Sequence, residues 1–205
     1  MRISILGLCG AGKTTLAQIL SGMFNVMVIS SGDLARASGF AGSAAEKGGQ
    51  LDPDEGKIRR MVKEAIGISD QYILDGFPRT INQIEGMDIS LDAVIYLSLM
   101  GNTTIGTERL LARGRPDDTQ EIIDKRIATY NIYTHPLIDY FLDRELLIYV
   151  NATGTIAETL RQAVVQLSAR NIIEASEYID ELTREFEREY KIRPRKAISN
   201  KGKER

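Results

Sequence analysis

The chain has 205 residues, 43% hydrophobic and 26% charged, enough for one globular domain and a short appendage. Its net charge of −2 gives no general reason to bind nucleic acid or an anionic membrane, and no stretch approaches the ~18 consecutive apolar residues of a membrane span. A single cysteine, Cys9, allows neither an internal disulfide nor a four-cysteine zinc site; with no secretory pattern before Gly7, a cytoplasmic protein without zinc is expected.

Five short apolar runs read as buried parallel strands: Ile3–Leu6, Val26–Ile29, Tyr72–Leu74, Ala93–Leu97 and Leu146–Val150. Each is rich in Ile, Val, Leu or Tyr without polar alternation, as expected of strands covered on both faces. Helical patterns lie between them. Lys13 to Met23 follows the first strand, and Pro53 to Ile66 starts with proline behind Asp52 as N-cap. Thr119 to Leu142 is a long periodic stretch with a bend expected near Pro136. Thr155 to Ser168 repeats Ile156, Leu160, Val164 and Leu167 at helical spacing. The alternation predicts a five-stranded parallel α/β sheet with helices on both faces and ligand sites at the carboxyl ends of its strands.

Composition shifts after residue 168. Residues 169–190 hold seven acidic and three basic side chains, and Ile172, Ile179 and Phe186 recur every seven residues. That pattern predicts an amphipathic helix, suited to a packing or dimer face. Residues 191–205 carry seven Lys or Arg against one Glu and read as a disordered basic tail. The expected division is therefore a domain over 1–168, a helix over 169–190 and a tail over 191–205. Monomer and dimer both fit this pattern.

Gly7-Leu8-Cys9-Gly10-Ala11-Gly12-Lys13-Thr14 fits G-x-x-x-x-G-K-[ST] between a strand and a helix, the context of a phosphate-binding loop. Its glycines let backbone N–H groups turn toward a phosphate at the positive end of the helix. Lys13 would reach the β- and γ-phosphates, and Thr14 would offer a hydroxyl to Mg²⁺. Gly10, Ala11, Gly12 and Thr15 complete the expected ATP contacts. Cys9 reads as a spacer, since no base stands beside it in the sequence. Asp75, closing the run Tyr72-Ile73-Leu74, has the position of a metal-binding aspartate at a strand end, acting directly or through water.

Asp75-Gly76-Phe77-Pro78-Arg79-Thr80 downstream of such a loop resembles the adenylate kinases and their relatives acting on UMP and CMP. Three further blocks extend the resemblance in family order: Ser30-Ser31-Gly32-Asp33-Leu34-Ala35-Arg36, Leu51-Asp52-Pro53-Asp54-Glu55, and Arg109-x-x-x-Arg113-Gly114-Arg115-Pro116-Asp117-Asp118 with Arg126 beyond it. The resemblance implies the phosphate-binding-loop NTPase fold with a small acceptor clamp about 31–66 and a short lid about 113–118. It also implies reversible, Mg²⁺-dependent transfer from ATP to AMP, giving two ADP. Only Gly114 separates Arg113 from Arg115, so the long lid of many bacterial members is missing. The stretch from Arg36 to Leu51 is also shorter and richer in Gly and Ala than the usual clamp.

Bringing two polyphosphates together requires positive charge in fixed places, and arginine supplies it with paired hydrogen bonds. By resemblance, Arg36 and Arg79 hold the acceptor phosphate, and Arg115 and Arg126 bridge acceptor and migrating phosphoryl group. Arg113 meets the donor phosphates, and Arg109 stacks on the donor base. Lys13, Arg79, Arg113, Arg115 and Arg126 form the expected catalytic set. Ser31, Gly76, Phe77 and Pro78 are expected around AMP by the same resemblance. Gln83 lies one helical turn beyond Arg79, and its amide matches the donor–acceptor edge of adenine. Asp117 and Asp118 are expected to order the lid arginines rather than to bind metal, and His135 is expected to take no part in catalysis. The alternatives are a UMP/CMP-type kinase of the same chemistry, or a nucleotide-switched assembly factor using the basic tail on nucleic acid.

Overall fold

The structure is a computed structural model that describes residues 1–38, 55–85, 87 and 89–174. The expectations for Asp52, Pro53, residues 39–54 of the acceptor clamp, residues 175–190 of the helix expected over 169–190, and the basic tail lie outside these residues.

Strands β1 (Arg2–Gly7), β2 (Val28–Ser30), β3 (Tyr72–Asp75), β4 (Ala93–Ser98) and β5 (Leu147–Asn151) form one parallel sheet in the order β2-β3-β1-β4-β5. Its strands send successive side chains to opposite faces. Ile3, Ile5, Ile73, Ile95 and Ile148 meet Leu16, Ala17 and Leu20 of α1 (Lys13–Phe24) and Ala163, Val164 and Leu167 of α8 (Ile156–Ala169). On the other face, Leu6 and Val94 pack on Leu137 and Phe141 of α7 (Pro136–Leu142), while Leu74 and Phe77 pack on Val62 and Ile66 of α3 (Glu55–Ile66). Because both faces are covered, the strands are apolar at nearly every position, as their sequences imply.

β2 begins two residues later than the apolar run indicates. Asn25 takes a left-handed conformation at the end of α1, and the Val26 N–H still donates to the Ser21 carbonyl, so Val26 finishes the helix. The long stretch from Thr119 is also divided, into α6 (Gln120–Thr129), a π-helical segment (Tyr130–Thr134) and α7. Pro136 has no N–H to continue the ladder, and His135 donates instead to Tyr130 five residues back, at 2.8 Å. Three helices were not indicated by periodicity: α2 (Ser31–Ala37), α4 (Ile81–Ile84) and α5 (Thr103–Arg113). α2 and α4 are too short to show a period, and α5 opens on β-branched Thr-Thr-Ile and a glycine, poor helix formers that need the Asn102 cap and tertiary packing.

Strand β5 is an edge strand, and α8 covers its open side. In a parallel ladder alternate residues of an edge strand face away from the sheet, here Leu147, Tyr149 and Asn151. Gln162 accepts from the Asn151 N–H at 3.0 Å and donates to its carbonyl at 3.1 Å, Gln166 donates to the Tyr149 carbonyl at 2.7 Å, and Arg170 donates to the Leu147 carbonyl at 2.6 Å. Four helical residues rise about 6 Å and two strand residues about 6.6 Å, so the two spacings match along the edge.

Candidate active site

The order of strands reverses direction at β1, which lies between β3 and β4, and the phosphate-binding loop follows β1 at that switch point. Gly10 allows the loop to form beneath α5. A side chain there would enter the backbone of Gly106, and a Cβ on Gly106 would lie 2.7 Å from the Cys9 carbonyl oxygen. Lys13 opens α1 and curls back, its Nζ donating to the Gly7 and Leu8 carbonyls at 2.8 Å each. Burial lowers its pKa to about 8, although Asp75 pulls the other way. Burial also raises the Cys9 thiol, Lys13 and Arg126 notwithstanding, which keeps it protonated and suits a spacer.

Thr14 donates its hydroxyl to Asp75 Oδ2 at 2.7 Å, and Asp75 is buried at the carboxyl end of β3. The two groups assigned to the metal are therefore adjacent, and both are hard oxygen donors of the kind Mg²⁺ takes. Among the described residues no group of three or more His, Cys, Asp or Glu side chains is placed to hold a metal ion.

One residue on, Gly76 has φ +68, and a Cβ there would lie 3.5 Å from Arg79 Nη2, 3.5 Å from Ser31 Oγ and 3.8 Å from Lys13 Cε. The lysine of the phosphate-binding loop and the arginine of the Gly76–Arg79 turn thus converge on one glycine. Arg79 donates through Nε to the Gly76 carbonyl at 2.9 Å and through Nη2 to Ser31 Oγ at 3.4 Å. Ser31 donates to the Gly76 carbonyl at 2.8 Å. Gln83 is buried, and its Oε1 accepts the Arg79 backbone N–H at 2.7 Å, so the amide oxygen expected to read a base is engaged here by the chain itself. Arg36 stands on the exposed side of α2 and pairs with Asp33, apart from this cluster.

The arginines expected in the lid gather on one carboxylate. Asp118 accepts from Arg113 Nε at 2.8 Å and Nη2 at 2.7 Å, from the Arg115 N–H at 3.1 Å and from Arg126 Nη1 at 3.4 Å, while Asp117 pairs with Arg126. Burial pushes the Asp118 carboxyl up, and the Arg113 fork with the Arg115 N–H outweighs it, holding the group below its ordinary value. The Arg115 side chain itself is exposed.

Arg109 lies elsewhere, over a cleft of about 310 Å³ bounded by Gly12 and Thr15 on one side and Gly154, Thr155 and Ile156 on the other. Its guanidinium donates to the Ala152 and Gly154 carbonyls at 2.9 Å each, which fixes the group at the cleft wall. Ile156 is 41% exposed at the same cleft. Sequence reasoning missed this wall after β5. It is made largely of backbone, and the only local signal is the capping box of Thr155 and Glu158 that starts α8 there.

No helix among the described residues is long and apolar enough to cross a membrane. Compared with known proteins, residues 5–146 match the family model described as adenylate kinase. The chain is 41% identical over 184 residues to the adenylate kinase of Rhodococcus erythropolis, covering 82% of this chain and 99% of that protein. It is 37% identical over 174 residues to that of Corynebacterium urealyticum, covering 77% and 94%. It is 33% identical over 185 residues to adenylate kinase 1 of Nostoc, covering 82% and 99%.

Proposed function

The chain belongs to the adenylate kinase family, and from that premise we propose that it catalyses reversible transfer of the terminal phosphoryl group of ATP to AMP with the residues described above. An AMP phosphate oxygen bonds to the γ-phosphorus as the bond from that phosphorus to the β-bridging oxygen breaks, so both products are ADP. No strong base is needed, because the acceptor is itself an anion; the work is positioning and charge neutralisation.

The observation that carries this reading is the convergence on Gly76 of Lys13, Arg79 and Ser31. Lys13 exchanges its carbonyl partners for donor phosphate oxygens and neutralises charge on the migrating group. Arg79 takes the acceptor phosphate, with Arg36 swinging in from its surface pair with Asp33. Arg113, Arg115 and Arg126 close over the transferring phosphoryl group, released in part from Asp117 and Asp118. Arg109 lays its fixed plane on the donor base against Ile156. Thr14 and Asp75 would hold the Mg²⁺ that accompanies ATP, which supplies further neutralisation of the β- and γ-phosphates. Ser31, Gly76, Phe77 and Pro78 line the acceptor side, and we place the reaction in the cytoplasm.

A coupled assay of ADP formation from ATP with AMP, UMP, CMP or GMP tests the reading. AMP should be preferred over UMP or CMP by at least about tenfold in kcat/KM, the scale of one good polar contact. Equal use of AMP and CMP would remove the adenylate assignment of the acceptor site, and transfer to none of the four would remove the kinase reading.

A further inference from the structure

Arg79 is fixed by more than its side chain. Its N–H is taken by Gln83, and its carbonyl accepts the Thr134 hydroxyl at 2.9 Å. Both partners are buried, at 7% and 8% exposure. The peptide groups of the acceptor-side arginine are therefore held from two directions, one of them a distant element: Thr134 follows Arg79 by 55 residues.

Thr134 closes the π-helical segment Tyr130–Thr134, which continues directly from α6, the helix that carries Arg126. In an uninterrupted α-helix a residue eight positions beyond Arg126 would stand about 80° round the axis from it. The π turn adds a residue, which takes back about 100° of rotation and returns Thr134 to the Arg126 face. One rod thus presents the lid-side arginine and the hydroxyl that fixes the acceptor-side arginine. We propose that Thr134 is a positioning residue for phosphoryl transfer, acting through the Arg79 carbonyl to hold the acceptor-phosphate guanidinium in register with Arg126. This rests on the assignment of Arg79 to the acceptor phosphate.

The test is steady-state ADP formation by the full chain and its Thr134→Val, Thr134→Ser, Arg79→Ala and Arg79→Ala/Thr134→Val variants, with KM measured separately for AMP and ATP. Thr134→Val keeps the shape of the side chain and removes the donor. It should lower kcat/KM for AMP by about tenfold, through both kcat and KM, and leave KM for ATP within about twofold. Thr134→Ser, which keeps the hydroxyl, should stay within about twofold of the unmutated chain. In the Arg79→Ala background the Val substitution should add less than about twofold, because a residue that acts through Arg79 has nothing left to position. If Thr134→Val does not fold, Thr134→Ala is read by the same criteria. A Val variant with a lowered Tm but unchanged AMP parameters overturns the proposal, as does an undiminished loss without Arg79. If Arg79→Ala itself leaves AMP use unchanged, the acceptor assignment fails first, and the proposal with it.

Discussion

Lys13 is the residue whose charge state ties binding to pH. Burial in the loop brings its pKa to about 8, below the ordinary lysine value, and phosphate oxygens replacing the Gly7 and Leu8 carbonyls would raise it again. The bound form then holds more protons than the free form. Affinity for a non-hydrolysable ATP analogue should therefore fall as pH rises through 8, approaching tenfold per unit. Calorimetry at about pH 8.5 in buffers of different ionisation enthalpy should register proton uptake that Lys13→Met abolishes; a binding enthalpy independent of buffer would contradict it. The sign for folding follows from the same shift. Above pH 8 the unfolded chain holds a proton that the folded loop releases, so this group's contribution to stability increases toward the ordinary lysine pKa. Gln83 presents a different problem. Its position one turn beyond Arg79 was legible in the sequence, but the bond of its oxygen to the Arg79 N–H was not, because a side chain's choice between ligand and backbone depends on the turn at Thr80 that starts α4. With the oxygen engaged in this way, of the amide pair expected to read adenine only the Nε2 donor would be left for the acceptor base. Gln83→Ala should reduce kcat/KM for AMP by about tenfold or more, and it should narrow the preference for AMP over CMP with the ATP side nearly unchanged. An unaltered AMP-to-CMP ratio would leave Gln83 a support for Arg79 alone.

At the scale of elements, the clearest device is the ladder of Gln162, Gln166 and Arg170 along β5. An edge strand offers unpaired carbonyls to any other strand, including one from a second copy of the chain. α8 occupies those acceptors with side chains one turn apart. Replacing one member, as in Gln166→Leu, should lower stability by about 0.5–1.5 kcal/mol, since water can solvate the exposed carbonyl in part. Replacing all three by Leu should increase concentration-dependent association in sedimentation or light scattering relative to the unmutated chain; a triple variant with unchanged sedimentation and Tm would show that the ladder protects nothing. Such a ladder cannot be read from the sequence, because two glutamines and an arginine at four-residue spacing describe any solvated helix face. The strands were readable because burial on both faces leaves an uninterrupted apolar run. The phosphate loop, the Asp75–Arg79 turn and the Arg113–Asp118 loop were readable because each compresses its side chains into a few consecutive positions. The wall of the Arg109 cleft was not, since the Ala152 and Gly154 carbonyls that fix it carry no residue-type signature.

For the whole molecule, the sheet order explains why these separate segments form one site. The carboxyl ends of β1, β2 and β3 and the segments that follow them place Lys13, Ser31, Asp75 and Arg79 at one end of the sheet, and the helices after β4 carry Arg113 and Arg126 on the same side and Arg109 at the neighbouring cleft. The charged residues assigned to the phosphates all lie before residue 127, yet the packed body extends past the boundary expected at residue 168. Ile173 is 7% exposed within the core cluster that contains Val164 and Leu167, and Arg170 donates to the Glu145 and Leu147 carbonyls at 2.9 and 2.6 Å. A chain ended after Glu174 keeps these contacts; one ended after Ser168 loses them. Removing a buried Ile forfeits roughly 2–3 kcal/mol of burial, and the two Arg170 bonds about 1 kcal/mol more. For a domain of this size that corresponds to a Tm lower by roughly 6–16 °C. The acceptor preference of folded material should be the same for both lengths, because neither cut reaches Ser31, Arg79 or Gln83. Thermal melts paired with the AMP, UMP and CMP assay separate the two effects. Equal Tm values would place residues 169–174 outside the stabilising core, and a changed choice of monophosphate on cutting after Glu174 would bring residues 175–205 into the acceptor site.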